Sequence, residues 1–487
     1  MSANTSTPLQ QSAEPVRQSF FDPNDARLIA ATQGLRQLFE WATKVRPEDI
    51  PQSARQRAAS ILFDDISAIV GAWDEPEFQT LYPRLVANAV GSEASILPQP
   101  GIRADTRTAA LTNAVAANWL ELDEGYRKTP CHAGLYVLPA LLAVAEADDV
   151  RTDQLLHTLV VAYEVITRIA RAYPQRVTVM QSHGRYAALG AACAVALHRK
   201  YNAELLAHVA SAAVTLITPS PRNHLAGGAL ARNIWAGVGA RNGIDVADWA
   251  PAGITGMDSS IHDVFVTVLG GDCKPDALTE GLGSSWAVMD GYTKMYACCQ
   301  HLHAAVEAAL DVREQVLEKG ISRLTDIHVE THDLALPLIE AHPGTSLSAK
   351  FSMAHAMASA VVLGSANEQA FSSALLKDQS IDQLRQRVAM SPWPGAIPSP
   401  PNDRPARVHF RFEDGTAIVG ECLSARGGAD RPFPQEALLE KIERLAGKRY
   451  PGLPTIAADL MSSQPTRLNL CWREVLAACA TPATARP

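Results

Sequence analysis

A short segment of the chain places three carboxylates and one histidine in front of a long apolar run. Glu121, Asp123 and Glu124 precede a basic loop, and His132 follows that loop. The leucines and valines of residues 135–144 recur at helical spacing, which predicts a buried helix. Histidine titrates near neutral pH and a neighbouring carboxylate can tune it, so this segment could transfer protons. A capping or buried structural role for His132 is the alternative.

A second histidine, His183, stands at the start of another predicted helix, within the sequence SHGRYAALGAA. A histidine followed by Gly184 can turn its ring toward a cleft while backbone N–H groups bind an anion. The alternative is a histidine that only caps a packed helix.

Two cations lie in largely apolar surroundings further along the chain. Arg232 occurs in an Ala- and Gly-rich stretch, where an unpaired buried charge would be costly. Its partner is either a substrate carboxylate, which arginine can bind through two N–H groups, or an internal Asp or Glu. Lys294 opens the sequence KMYACCQHLH, which also contains Cys299 and His303.

Cofactor motifs are missing from the sequence. The eight cysteines include no CxxC pair, so zinc-ribbon, iron–sulfur and disulfide frameworks are disfavoured. His301 and His303 are two residues apart and would diverge on a helix, which makes them a poor metal pair. GxGxxG and GxxxxGK motifs are also absent, which disfavours NAD and ATP. We therefore expect an enzyme without a metal or organic cofactor.

Length and composition predict a large globular protein. A chain of 487 residues suggests two or three domains, and 47% hydrophobic residues can fill a large core. The formal net charge of -8 argues against general binding to nucleic acid or to acidic membranes. Neither a membrane-spanning apolar run nor a signal-peptide core is visible, so the expected location is the cytoplasm.

The predicted elements that would position these side chains are mainly helices. Residues 1–22 lack periodicity and are expected to form a mobile arm. Alternation over 327–331, and two runs flanking Glu413–Gly415, predict a few strands that include a β-hairpin. Helices are predicted near residues 53–72, 105–120, 152–172, 434–446 and 465–479.

Several of these motifs together resemble the MmgE/PrpD family. The matching stretches are ELDEGYR at Glu121–Arg127, His132-Ala133-Gly134, AYEVITRI, the His183 motif, KMYACC from Lys294, and AKFSMAHA at 349–356. Ala133 stands where the family usually has Pro, and His355 stands where it has Tyr.

The resemblance implies a mainly α fold, a homodimer and a set of site residues. A large all-helical domain would comprise residues 23–288 and 434–487, and an inserted α+β lid would comprise 289–433, with the cleft between them. No metal is implied. The implied catalytic residues are His132, His183, Glu121, Asp123 and His355, and the implied substrate-binding residues are Arg232, Lys294, Arg127, Cys299 and His303.

The activity implied by the resemblance is acid–base chemistry on a small di- or tricarboxylate. The leading expectation is a lyase that dehydrates a 2-methylcitrate-like acid. The alternatives are an iminodisuccinate epimerase-like isomerase, a cis-aconitate decarboxylase-like enzyme and a catalytically silent relative that binds polycarboxylates.

Three departures from the cis-aconitate decarboxylase branch of the family bear on the substrate. That branch has Lys at the place of Arg232, Tyr at that of His355 and His at that of Cys299. His355 is expected to be half-titrated near neutral pH and able to act as a base. The sequence therefore predicts no useful decarboxylation of cis-aconitate, and a KM that rises about tenfold in Arg232→Lys.

Overall fold

The protein is described here by a computed structural model that covers residues 21–481. The arm predicted for residues 1–22 falls almost entirely outside these residues. Within them the chain is mainly helical, with three small sheets, which confirms the predicted fold class at that level. Within the same range no helix is both long and apolar enough to cross a membrane.

The first part of the described chain is almost entirely helical. Asp25 and Asp105 cap two of its helices by accepting hydrogen bonds from backbone N–H groups of the first turn. The helices are α1 (Ala26–Lys44), α2 (Gln52–Gly71), α3 (Pro76–Leu85), α4 (Thr106–Ala117), α5 (Ala133–Ala147), α6 (Thr152–Ala172), α7 (Ser182–His198), α8 (Ala203–Ala213), α9 (Asn223–Ala226), α10 (Trp235–Trp249) and α11 (Ser260–His262).

The middle of the chain mixes helices with a four-stranded sheet. Its helices are α12 (His303–Asp311), α13 (Arg313–Lys319), α14 (Ser346–Lys350), α15 (Met353–Leu363) and α16 (Gln379–Arg385). The chain then returns to helices in α17 (Gln435–Ile442), α18 (Leu453–Met461), α19 (Pro465–Leu468) and α20 (Trp472–Ala480).

The strands form two short pairs and the four-stranded sheet. They are β1 (Ala94–Ser95), β2 (Arg103–Ala104), β3 (Gly125–Tyr126), β4 (Gly291–Tyr292), β5 (Leu324–Thr331), β6 (Val388–Pro392), β7 (Ala406–Phe412) and β8 (Ala417–Cys422). The sheet order is β6-β5-β7-β8, with β5 and β6 parallel and the other pairs antiparallel. β7 and β8 form the predicted hairpin, and α12 packs on both.

Buried apolar side chains fall into two groups. One group combines residues between 31 and 288 with residues between 438 and 479, because α17 and α18 pack on α2 and α20 packs on α5 and α6. The other is drawn mainly from residues 296–422. The exact domain boundaries, and the role of 289–433 as a lid, stay predictions.

The pairing of β3 with β4 joins the two motif-bearing segments of the chain. Gly125 pairs with Tyr292 and Tyr126 pairs with Gly291 in antiparallel register. The Tyr126 N–H also donates to the Cys131 carbonyl at 2.8 Å, which closes the loop that leads to His132. Residues near 123 and near 294 are thereby held next to each other.

Candidate active site

A cavity of about 930 Å³ opens beside the β3–β4 pair, with walls drawn from both groups of elements. Half of the predicted site residues lie on its wall, namely Glu121, His132, Arg232, Lys294 and Cys299. Asp123 and His183 lie directly behind that wall and contact those residues. The structure therefore brings seven of the ten predicted residues together.

His132 is held in a fixed orientation at the start of α5. Its Nδ1 lies 2.6 Å from Asp123 Oδ2 and 2.8 Å from the Glu124 carbonyl oxygen. Both neighbours are acceptors, so Nδ1 carries the proton in the neutral ring. Within residues 21–481 the Nε2 atom makes no hydrogen bond, and the side chain is 16% exposed. This geometry leaves Nε2 as an available base.

Asp123 supplies a buried negative charge behind His132. Burial opposes ionisation, but Lys294 and His132 hold the pKa of Asp123 well below its usual range. Lys294 Nζ lies 3.4 Å from Asp123 Oδ1 and 3.6 Å from Glu121 Oε2. Burial opposes the charge on Lys294 too, but Asp123 and Glu121 raise its pKa, so the ammonium stays protonated.

Arg232 finds an internal partner, as one of the two sequence-based alternatives predicted. It lies in the 3₁₀ segment Leu230–Ile234 that leads into α10. Its Nη2 donates to Glu121 Oε1, and its Nη1 donates to the Asn118 carbonyl at 2.9 Å and to Asn118 Oδ1 at 2.8 Å. The buried Nε has no partner among the described residues, so one donor remains for a ligand.

His183 is a buried neighbour of His132 and not part of the cavity wall. Arg232 Nη2 donates to its Nε2 at 3.0 Å, so Nδ1 carries the proton and donates to the Tyr136 hydroxyl at 3.1 Å. Burial, followed by the Arg232 charge, lowers the pKa of His183 well below its ordinary value. The ring meets His132 edge to face, with centroids 4.9 Å apart, and supports it as a neutral group.

Glu121 occupies an unusual backbone conformation beyond the end of α4. Its φ angle is 55°, in the left-handed region that residues other than glycine rarely adopt. Conformations of this kind tend to cluster at functional sites, where surrounding contacts hold them. Here the contacts come from Arg232 and Lys294, which bind the Glu121 carboxylate.

The remaining three predicted site residues are not part of this group of seven. His303 Nε2 is 3.1 Å from the Cys298 carbonyl oxygen, and burial lowers its pKa to about 3. His355 Nε2 is 2.8 Å from the Ala370 carbonyl oxygen. Burial lowers the His355 pKa to about 4, so the expected half-titrated base is instead a neutral, buried ring. Arg127 pairs with Asp403 at 2.6 Å.

The wall also contains residues that sequence reasoning did not select. They are mostly cationic or polar, and they come from the loop before α7, the approach to α9, β4, the turn before α12 and the segment before β7: Arg176, Arg222, Tyr292, Gln300, His301 and Arg404. Five cations and two carboxylates line the cavity in total. No local signal marked Arg404, because it belongs to a Pro-rich stretch that resembles a linker.

Cys299 is one of the residues on the cavity wall. Its N–H donates to the Lys350 carbonyl at 2.9 Å, and burial raises the pKa of its thiol. Within residues 21–481, no group of three or more His, Cys, Asp and Glu side chains is arranged to hold a metal ion.

An oriented imidazole, buried carboxylates and a surplus of cations are the parts of a site that moves protons on a small anion. The family models for the MmgE/PrpD N-terminal and C-terminal domains match residues 36–266 and 296–455. The chain belongs to the MmgE/PrpD family.

Two named relatives align with most of the chain. The cis-aconitate decarboxylase-like protein oryM of Aspergillus oryzae is 24% identical over 457 residues, which is 84% of this chain and 90% of the relative. The cis-aconitate decarboxylase of Aspergillus terreus is 24% identical over 462 residues, 84% of this chain and 89% of the relative. These named relatives are lyases.

Proposed function

We propose that the protein is a cofactor-free lyase that acts on a small di- or tricarboxylate by acid–base chemistry. The observation that carries this proposal is the His132–Asp123 pair, which leaves the His132 Nε2 lone pair at a cavity rich in cations. The leading reaction is dehydration of a hydroxy acid similar to 2-methylcitrate.

The proposed dehydration uses the side chains as follows. His132 Nε2 removes a proton from the carbon beside a carboxylate, and Asp123 stabilises the imidazolium that forms. Negative charge then grows on the carboxylate, where Lys294 and the free Arg232 Nε can stabilise it. The hydroxyl group leaves as water after gaining a proton. Burial raises the pKa of Tyr292 on the same wall to about 12, so its phenol keeps a proton to donate.

Decarboxylation is the second candidate, because the named relatives are a cis-aconitate decarboxylase and a cis-aconitate decarboxylase-like protein, each matched over 84% of this chain. In that reaction the His132 imidazolium would deliver a proton to carbon as CO₂ leaves. Arg232 and Cys299, which differ from the residues of the cis-aconitate decarboxylase branch, both lie on the cavity wall. These two differences argue against cis-aconitate as the substrate. The difference at His355 is a weaker argument about the substrate, because that ring is hydrogen-bonded to the Ala370 carbonyl and to Arg385, away from the cavity wall.

The proposal includes a lid role for residues 289–433. This region supplies Tyr292, Lys294, Cys299 and Arg404 to the cavity wall, so its movement would open or close the cavity.

The proposal also includes a homodimer, which the family resemblance favours. Sedimentation velocity would test this.

Product analysis by NMR tests the proposed reaction. Chelator-treated protein is incubated in deuterated buffer with 2-methylcitrate, citrate, cis-aconitate and iminodisuccinate. Formation of an alkene with loss of water supports dehydration, whereas itaconate from cis-aconitate would establish the second candidate. C–H exchange with inversion indicates an epimerase. Binding without any exchange indicates a silent relative, and activity lost on chelation contradicts the cofactor-free mechanism.

A further inference from the structure

The cations of the cavity fall into two groups that differ in how their charges are compensated. The inner pair, Arg232 and Lys294, is bound to the carboxylates of Glu121 and Asp123. The outer cations, Arg404, Arg222 and Arg176, form no ion pair with any carboxylate in residues 21–481. An anionic ligand therefore finds its uncompensated charge at the outer end of the cavity.

Arg176 is exposed, whereas Arg404 is half-buried. Its Nη1 donates to the side-chain oxygen of Gln300, an uncharged acceptor. Burial and the nearby Arg127 charge both lower the pKa of Arg404, to about 10, so it remains a cation at neutral pH. A half-buried charge without a paired carboxylate is unfavourable, and a bound anion would reduce that cost.

His301 lies on the same stretch of wall. Arg404 and Arg222 both lie close enough to influence its ionisation. Burial and these cations keep the pKa of His301 well below its ordinary value, so the ring is neutral. Its Nδ1 is buried and has no hydrogen-bond partner among the described residues. A neutral imidazole with one N–H can donate to an anion between two guanidinium groups.

The inner and outer groups are joined by residues of the wall itself. Lys294, Tyr292, Cys299 and Arg404 all line the same cavity of about 930 Å³. A small molecule with carboxylates at both ends is therefore the class of ligand whose charges match both groups.

Arg127 holds the outer group in place. Its Nη2 donates to Asp403 Oδ1 at 2.6 Å and to the Pro401 carbonyl at 3.1 Å. Arg127 belongs to the same segment as Asp123, and Asp403 directly precedes Arg404. The loop of residues 393–405 is thus tied to the segment that orients His132.

We propose that Arg404, Arg222 and His301 form a second carboxylate subsite, which binds the end of the substrate remote from His132. This proposal rests on the proposed function for the identity of the reacting end. The subsite selects di- and tricarboxylates over monocarboxylates, because only the former reach both groups of cations. Arg127 is a positioning residue that acts through Asp403 on Arg404.

Calorimetric titration with propane-1,2,3-tricarboxylate tests the subsite without turnover, because this acid has no hydroxyl group to lose. Butanoate serves as the monocarboxylate. We expect Arg404→Gln to raise the Kd of the tricarboxylate by about tenfold to a hundredfold, since a charge-assisted, two-pronged contact is lost. The Kd of butanoate for the unaltered protein should be at least about tenfold higher than that of the tricarboxylate, because one carboxylate cannot reach both groups of cations. Arg411→Gln, on β7 outside the cavity wall, removes the same charge and should change neither.

The outcomes separate this inference from the proposed reaction. An unchanged tricarboxylate Kd in Arg404→Gln, or an equal loss in Arg411→Gln, would overturn the subsite even if the enzyme turns over a polycarboxylate. A selective loss in Arg404→Gln would support it even if no tested acid reacts. Arg127→Gln and Asp403→Asn should each raise the Kd of the tricarboxylate several-fold, whereas Arg411→Gln should not. Equal Kd values in all three variants would show that Arg127 does not position Arg404.

Discussion

The histidines of this protein show that environment decides which of them can act as a base. His132 has its Nδ1 fixed by Asp123 and its Nε2 open to the cavity, whereas both nitrogens of His183 are occupied. His303 and His355 are bound to backbone carbonyls and kept neutral by burial. Among the histidines of residues 21–481, only His132 combines an orienting carboxylate with an unoccupied nitrogen on the cavity wall.

The carboxylate of Asp123 is expected to contribute to the rate. Asp123→Asn keeps the shape but removes the charge that stabilises the imidazolium, so kcat should fall by roughly 10²–10⁴-fold. Steady-state kinetics would measure this. The matched control is Asp148→Asn, which alters another Asp–His pair, 2.8 Å from His198 and away from the cavity. Equal effects of the two variants would contradict an orienting role for Asp123.

Arg232 is expected to matter for stability as well as for substrate binding. In Arg232→Lys a single ammonium cannot reach Asn118, Glu121 and His183 together, so buried acceptors lose their donors. Urea unfolding should show a loss of about 1–3 kcal/mol. Arg241→Lys, at an exposed position of α10, is the control. Unchanged stability would show that the contacts of Arg232 with Asn118, Glu121 and His183 do not stabilise the fold. If only KM rose, by about tenfold, the role of Arg232 would be substrate binding alone.

Glu124 makes a pH-dependent contribution to stability. Burial raises its pKa to about 7 from an ordinary value of 4.5, so the folded protein binds this proton more tightly than the unfolded chain. Its contribution is complete below pH 4.5 and is lost as the pH rises through about 7. Glu124→Gln imitates the protonated acid and cannot lose a proton. Between pH 5 and 8, the unfolding free energy of this variant should therefore fall by about 1–3 kcal/mol less than that of the unaltered protein. An unaltered pH dependence, equal to that of exposed Glu413→Gln, would contradict this.

At the scale of elements, the β3–β4 pair determines the spacing between the carboxylates and the cations. A Cβ added at Gly125 would lie 2.3 Å from the Tyr292 ring, so only glycine allows the two strands to approach. Gly125→Ala should displace Tyr292 and Lys294 and lower kcat/KM at least tenfold. Gly344→Ala is the control, because a Cβ there meets no atom within 4 Å. Equal kinetics of the two variants would show that this pairing does not position the site.

Local sequence signals predicted the local parts of the structure well. The periodicity over 152–172 and the turn at Glu413–Gly415 correspond to α6 and to the β7–β8 hairpin, since both depend on neighbouring residues. Likewise, Asp123 and His132 are close in sequence and share one loop. These features needed no knowledge of distant contacts.

The remaining parts of the site depend on contacts that no local pattern contains. Arg404 comes from a Pro-rich stretch and reaches the cavity because Arg127, far away in sequence, binds Asp403. His355 matches a family motif, but its packing against Phe371 and its bond to Ala370 keep it off the wall. Burial and pairing decide these roles, and both are properties of the folded chain.

At the scale of the whole molecule, the two groups of elements meet at one cavity with an excess of positive charge. The inner cations are neutralised by the protein, and the outer cations are not. A neutral substrate would gain nothing from this distribution, whereas a polycarboxylate would bind along it. The cavity that favours polycarboxylates is therefore the same cavity that contains the base His132.

The most direct test is proton NMR in deuterated buffer, which compares the unaltered protein with His132→Gln on the acid that it converts. We expect the unaltered protein to remove or exchange the C–H proton beside a carboxylate. In His132→Gln that rate should fall by about 10²–10⁴-fold at an unchanged melting temperature. His342→Gln, at an exposed histidine, should behave like the unaltered protein. Full activity in His132→Gln would contradict the central claim that His132 is the base.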